Sequence, residues 1–140
     1  MRTRKLATVL TGVAVAATTT LVAGSAPAGA VGPCGTGYSQ VGVYAVIKGD
    51  GTRTGTLEVY YNVRAGKKCA LTYGYGAYAD TWTLKIVSIS RADGSERETA
   101  LGRGRPYVGP VYVSARGQCI DVAATVPEGV TRRLNDVHCD

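Results

Sequence analysis

Acid–base chemistry in this chain would have to pass through one histidine, His138. A histidine base needs a nucleophile within hydrogen-bond reach and a carboxylate to orient its ring. Asp136 and Asp140 flank His138, but strand alternation puts all three on one face at best. A nucleophile such as Ser114 stands in no supporting motif. A surface histidine beside a cysteine fits better. Asp50, Asp93 and Glu128 sit in turn sequences, where carboxylates ordinarily bond to the nearby backbone. Asp80 precedes Trp82 and could face a groove, yet glycosidase chemistry needs two carboxylates at a set separation. GDGTRTG at 49–55 lacks the Lys-Ser/Thr end of a phosphate loop and the repeated acids of a calcium loop. Arg103 and Arg105, in GRGR at 102–105, are two charges in a loop and no nucleic-acid footprint. The expectation is a protein without catalytic residues, cofactor or nucleic-acid partner.

The cysteines carry a different chemistry. Cys34, Cys69, Cys119 and Cys139 are the four in the chain. No C-x-x-C pair exists and only one histidine is present, which argues against structural zinc. An even count in a small exported chain reads as a disulfide framework. Cys119 opens the strand after the turn ARGQ, and Cys139 ends the next antiparallel strand, so both come to the same end of a hairpin. Cys34 precedes the first strand and Cys69 starts the third, and those strands run the same way. Strand-end geometry therefore favours Cys34–Cys69 with Cys119–Cys139 among the three possible connectivities.

Aromatic residues offer the remaining candidate site. LTYGYGAYADTW, 71–82, carries Tyr73, Tyr75, Tyr78 and Trp82. Tyr73 and Tyr75 would share a strand face, and amphipathic rings on a sheet can stack on sugars or on a partner surface. Phenylalanine is absent while tyrosine occurs nine times, so tyrosine must also do much of the structural aromatic packing.

The elements that must position these residues have strand periodicity. In 57–63, Leu57, Val59, Tyr61 and Val63 share one face, and Glu58, Tyr60 and Asn62 the other. In 41–47, Val41, Val43, Ala45 and Ile47 share a face. In 82–89, Trp82, Leu84 and Ile86 alternate before the phase shifts to Val87 and Ile89, which suggests a bulge or a strand buried on both sides. Residues 107–114, 119–126 and 131–138 supply further strands. Turn signals at 49–55, 64–68, 92–95, 115–118 and 127–129 separate them. No stretch after residue 31 has a helical period with caps. The fold class is all-β: an antiparallel sandwich or small barrel of about seven strands with two disulfides.

The N-terminus reads as a secretory signal peptide, 1–30: basic MRTRK, the apolar run LATVLTGVAVAA, and small residues ending in AGA. The run is shorter than the ~20 residues a membrane span needs, and Thr18, Thr19 and Thr20 interrupt it. Cleavage is expected after Ala30, with Ala28 as the alternative, leaving one domain at 31–140 and no integral membrane segment. The leader holds three of the sixteen basic residues, so thirteen against ten acidic ones leave a net charge of +3, compared with +6 for the whole chain.

PCGTGY at 33–38, TLEVYYN at 56–62, GKKCALT at 66–72, YVGPVYV at 107–113, GQCIDV at 117–122 and VHC at 137–139 resemble the actinobacterial spore-associated protein A family. These are small secreted proteins with a signal peptide and four cysteines. The resemblance implies export and association with the spore or cell surface, and it carries over no catalytic residue. The chain has Lys68 where the pattern has Asn, and ends in Asp140 where it has Gly. The resulting expectation is a non-enzymatic secreted protein whose partners are cell-wall or spore-surface glycans or proteins. Two alternatives are a carbohydrate-binding module using Tyr73, Tyr75, Tyr78 and Trp82, and a protease inhibitor. The inhibitor would present the loop 101–106, which would have to be rigid and braced by a disulfide.

Overall fold

The computed structural model describes residues 32–80 and 82–140. The expected leader and its cleavage site lie outside these residues. Eight strands follow in chain order: β1 (Ser39–Ile47), β2 (Arg53–Asn62), β3 (Lys67–Gly74), β4 (Lys85–Arg91), β5 (Glu98–Gly102), β6 (Tyr107–Ser114), β7 (Ile120–Thr125) and β8 (Thr131–Val137). A 3-10 turn, η1 (Gly76–Tyr78), lies between β3 and β4. The strands make two four-stranded sheets, ordered β1-β2-β3-β6 and β5-β4-β7-β8. All pairings are antiparallel. The sheets stack face to face as an open sandwich and do not close into a barrel.

Alternation decides which side chains fill the gap between the sheets. Leu57 and Val59 of β2, Ala70 of β3 and Val111 and Val113 of β6 meet Val87 and Ile89 of β4 and Ile120, Val122 and Ala124 of β7 in one buried cluster. Glu58 and Tyr60 consequently face outward, as the period of two requires. Buried Thr54 ties the layers together, since its hydroxyl donates to Val46 O in its own sheet and to Val126 O beside the other.

The strand expected at 82–89 is displaced. β4 begins at Lys85, and its pairings with β5 and β7 carry no bulge. The phase shift seen in the sequence arises because Trp82 and Leu84 precede the strand, whereas Lys85, Val87 and Ile89 face inward within it. The strand absent from the sequence reading is β5, ETALG, a short edge strand with no buried residue.

Both ends of the core are closed by a lysine. Lys68 is 1% exposed and Lys85 0%. The Lys85 ammonium donates to Asp80 O at 2.9 Å and Thr83 O at 3.1 Å. Lys68 donates to Gln118 O at 2.7 Å and also to His138 O. Buried ammonium groups survive only with such partners. Cys34–Cys69 and Cys119–Cys139 are the disulfides, as strand-end geometry suggested. β1 and β3 start at the end where β7 starts and β8 finishes, so both bridges lie toward one end of the sandwich.

Candidate functional site

The four aromatic residues singled out from the sequence do not share one strand face. β3 stops at Gly74, and Tyr75 is the cap of η1. Glycine is required at 74 because a Cβ there would lie 1.8 Å from Tyr78 O, where η1 folds back on the strand. Tyr75 and Tyr78 are thereby carried to the end of the sandwich opposite the disulfides. There the Arg53 guanidinium lies 4.2 Å from the Tyr75 ring centroid, and Lys48 Nζ donates to Tyr78 Oη at 3.0 Å. Trp82 stands 76% exposed on the loop before β4. Asp80 holds that loop by accepting from Trp82 N at 2.9 Å and from Thr83 N at 2.8 Å. These bonds keep the Asp80 carboxyl below its usual range. The carboxylate is taken up in holding the loop. Arg103 links the neighbouring loop by donating to Trp82 O at 3.3 Å.

Tyr73 belongs to a second arrangement, on the outer face of the first sheet. Cys69 faces Tyr60 on one side and Tyr112 on the other, and Tyr73 faces Thr56 and Tyr107. Cys34, Cys69 and Leu71 form a small buried floor, against which Tyr38, Tyr60, Tyr73 and Tyr112 pack. Glu58 stands between the rows. Its Oε2 accepts from Tyr60 Oη at 2.8 Å and its Oε1 from Tyr73 Oη at 2.7 Å. A hydroxyl that reaches the carboxylate two residues back spans about 6.6 Å of strand. The Tyr60 ring therefore runs along the sheet instead of standing off it. Gln40 Nε2 donates to the Tyr60 hydroxyl at 3.3 Å, and Tyr112 Oη donates to Cys34 O at 2.9 Å. Glu58, Tyr60, Tyr107 and Tyr112 are members of this face that the sequence reading did not single out as a site. The signal was present in the polar side of LEVYYNV, but only the register joins it to Tyr73.

Burial, followed by the bond to Glu58, pushes the Tyr60 hydroxyl up to about 12 from 10.0. Tyr73 is raised for the same two reasons. A raised folded-state pKa makes this contribution complete below pH ~10 and lost as pH climbs through about 12. Absorbance titration of the phenolates should show Tyr60→Phe removing a group that ionises late. Removal of one that ionises at ordinary pH would contradict the Tyr60–Glu58 bond.

His138 is paired with a tyrosine. Its Nε2 lies 2.7 Å from Tyr44 Oη. Burial lowers its pKa, as does the nearby Lys68 charge, while Asp140 opposes them. Left-handed backbone at Asp136 and His138 (φ 59 and 51) breaks the expected alternation with Asp140. No hydrogen bond joins Ser114 to His138 among the described residues, and Ser114 O accepts from Arg91 Nε at 2.7 Å. The loop 101–106 lies at the end away from both disulfides, so neither braces it as the inhibitor alternative requires. No group of three or more potential metal ligands occurs among the described residues, and none of their helices is long and apolar enough to cross a membrane.

No family model matches the chain. No solved structure matches it. Among curated proteins it is similar to spore-associated protein A of Streptomyces coelicolor, with 35% identity over 103 residues, or 71% of this chain. The chain covers 62% of the length of that relative. By sequence the chain is similar to spore-associated protein A, the family that its cysteine-bearing segments resemble.

Proposed function

We propose that this is an exported, non-catalytic protein that associates with the spore or cell surface. The observation that carries the reading is the similarity to a protein named for spore association. Two disulfides support an oxidising, extracytoplasmic setting, and the basic–apolar–small pattern of 1–30 supports export. Support for a non-catalytic role is the pairing of His138 with a tyrosine and the use of Glu58 and Asp80 as local acceptors.

Fractionation of a sporulating culture tests the reading. The protein is expected in washes of intact spores or cell walls, with Val31 as its first residue. Recovery only in the cytosol with residues 1–30 attached would overturn it.

A further inference from the structure

We propose that the outer face of the first sheet, centred on Glu58, Tyr60 and Tyr73, is a binding platform for a neutral polysaccharide chain. The inference goes beyond surface association and stands apart from it. Three observations lead to it. First, the rings are held in place before any ligand arrives. Both hydroxyls are fixed on one carboxylate, and the rings rest on a floor of Cys34, Cys69 and Leu71. Preorganised aromatic surface loses little conformational freedom on binding, and so retains more of its contact energy. Second, the platform is extended. Four residues of β3 separate the row of Tyr60 from the row of Tyr73, about 13 Å of strand. Tyr107, 42% exposed, continues the second row. That footprint suits a chain of sugar rings better than a single small molecule.

Third, the charges select the ligand. Glu58 is the carboxylate between Tyr60 and Tyr73, and Glu98 lies beside Tyr112 at the β6 edge, next to Lys67. Arg53, at the margin, donates to Thr56 Oγ1 at 2.6 Å and stacks on Tyr75. Two negative groups, Glu58 and Glu98, and two positive ones, Arg53 and Lys67, leave the face balanced. A phosphate- or uronate-bearing polymer meets the Glu58 charge, and a polycation meets Arg53. A neutral pyranose chain offers apolar ring faces for the tyrosines and hydroxyls for Gln40, Thr56 and the free lone pairs of Glu58. Glu58 already accepts from two tyrosine hydroxyls, an arrangement suited to holding a chain.

The test uses the full-length gene product with its disulfides intact and three probes: insoluble chitin, insoluble cellulose and, as the anionic control, polygalacturonate. Retention on chitin or cellulose is expected, with little change as salt is raised, because no ionic contact is being screened. Tyr60→Ala and Tyr73→Ala should each weaken it tenfold or more, the usual effect of losing an aromatic anchor. Arg132→Ala, on the second sheet, should leave it unchanged. Should either alanine variant lose its near-ultraviolet circular dichroism, Tyr60→Phe, Tyr73→Phe and Glu58→Gln keep the packing and release the rings; each should weaken retention several-fold. Retention on neither neutral polymer, retention only on polygalacturonate at low salt, or folded variants that bind as before would each overturn the proposal. A protein that coats spores yet holds no neutral polysaccharide refutes the platform while leaving surface association intact.

Discussion

Lys68→Ala is expected to destabilise the folded domain by about 2–4 kcal/mol, the cost of a cavity and of two buried carbonyls left without a donor. The side chain starts on β3 in the first sheet, is 1% exposed, and places its ammonium 5.2 Å from the Tyr61 ring centroid. Its acceptors, Gln118 O and His138 O, belong to the residues immediately before Cys119 and Cys139. One amine thus joins the first sheet to both arms of the bridge that closes the second. Truncation leaves a cavity and two carbonyls without a donor, and each effect is worth a few kcal/mol at most. Lys68→Met separates them, because it keeps most of the volume and removes only the donor. It should cost about 1–3 kcal/mol, reduced by the desolvation that the ammonium no longer suffers. Denaturant midpoints at fixed m decide the matter. A methionine variant as stable as the parent would show that the hydrogen bonds contribute nothing.

The sign of the pH dependence follows from the same site. Burial lowers the Lys68 pKa from 10.5, and the Asp140 charge opposes that shift. Below its folded pKa the ammonium is charged in both states. Between that value and 10.5 the unfolded chain holds the extra proton, so stability rises with pH. The parent should therefore gain on Lys68→Met as pH approaches 10.5 from below. Both proteins carry the same tyrosines, so their difference isolates this one group.

Alternation in LEVYYNV put Leu57 and Val59 on one face and Glu58 and Tyr60 on the other, and that division holds within β2, while Val63 falls beyond the strand and is exposed. The cysteine pairing was legible too, because the directions of consecutive antiparallel strands fix which strand ends meet. Much of the tyrosine face was not legible. The face around Glu58 is assembled by the pairing of β3 with β6, and β6 lies more than thirty residues further along the chain. No local period shows which distant strand lies beside Tyr73. Tyr75 was misassigned for a different reason: Gly74 lets the chain turn back where the alternation of LTYGY appears to continue. β5 was missed because an exposed five-residue edge strand has no apolar side to reveal it. Lys68 and Asp140, the two departures from the family pattern, come close enough for the Asp140 charge to act on the Lys68 ammonium, a relation that sequence order concealed.

Removing the first disulfide, as Cys34→Ala with Cys69→Ala, is expected to cost about 4 kcal/mol, against about 3 kcal/mol for Cys119→Ala with Cys139→Ala. The difference follows from loop length, since the bridges close separations of 35 and 20 residues and the entropy of the unfolded chain grows with the logarithm of that number. Either loss is a large part of the 5–15 kcal/mol that holds a typical domain together. The two variants should differ in kind as well as size. Cys34 is tied to the sheet by its bridge and by the Tyr112 hydroxyl on its carbonyl. Without the bridge, the segment before β1 loses its covalent hold, and Tyr38, Tyr60, Tyr73 and Tyr112 lose part of the floor they pack on. The burial that raises the Tyr60 pKa then declines, so its ionisation should move from about 12 back toward 10.0. The second bridge lies beside Lys68 and His138, away from that face, and its removal should lower the denaturation midpoint while Tyr60 still ionises late. Peptide mapping without reduction, denaturation curves and phenolate titration of the two variants check each part. Equal losses with Tyr60 unmoved in both would show that the first bridge restrains only the unfolded chain and does not support the tyrosine face.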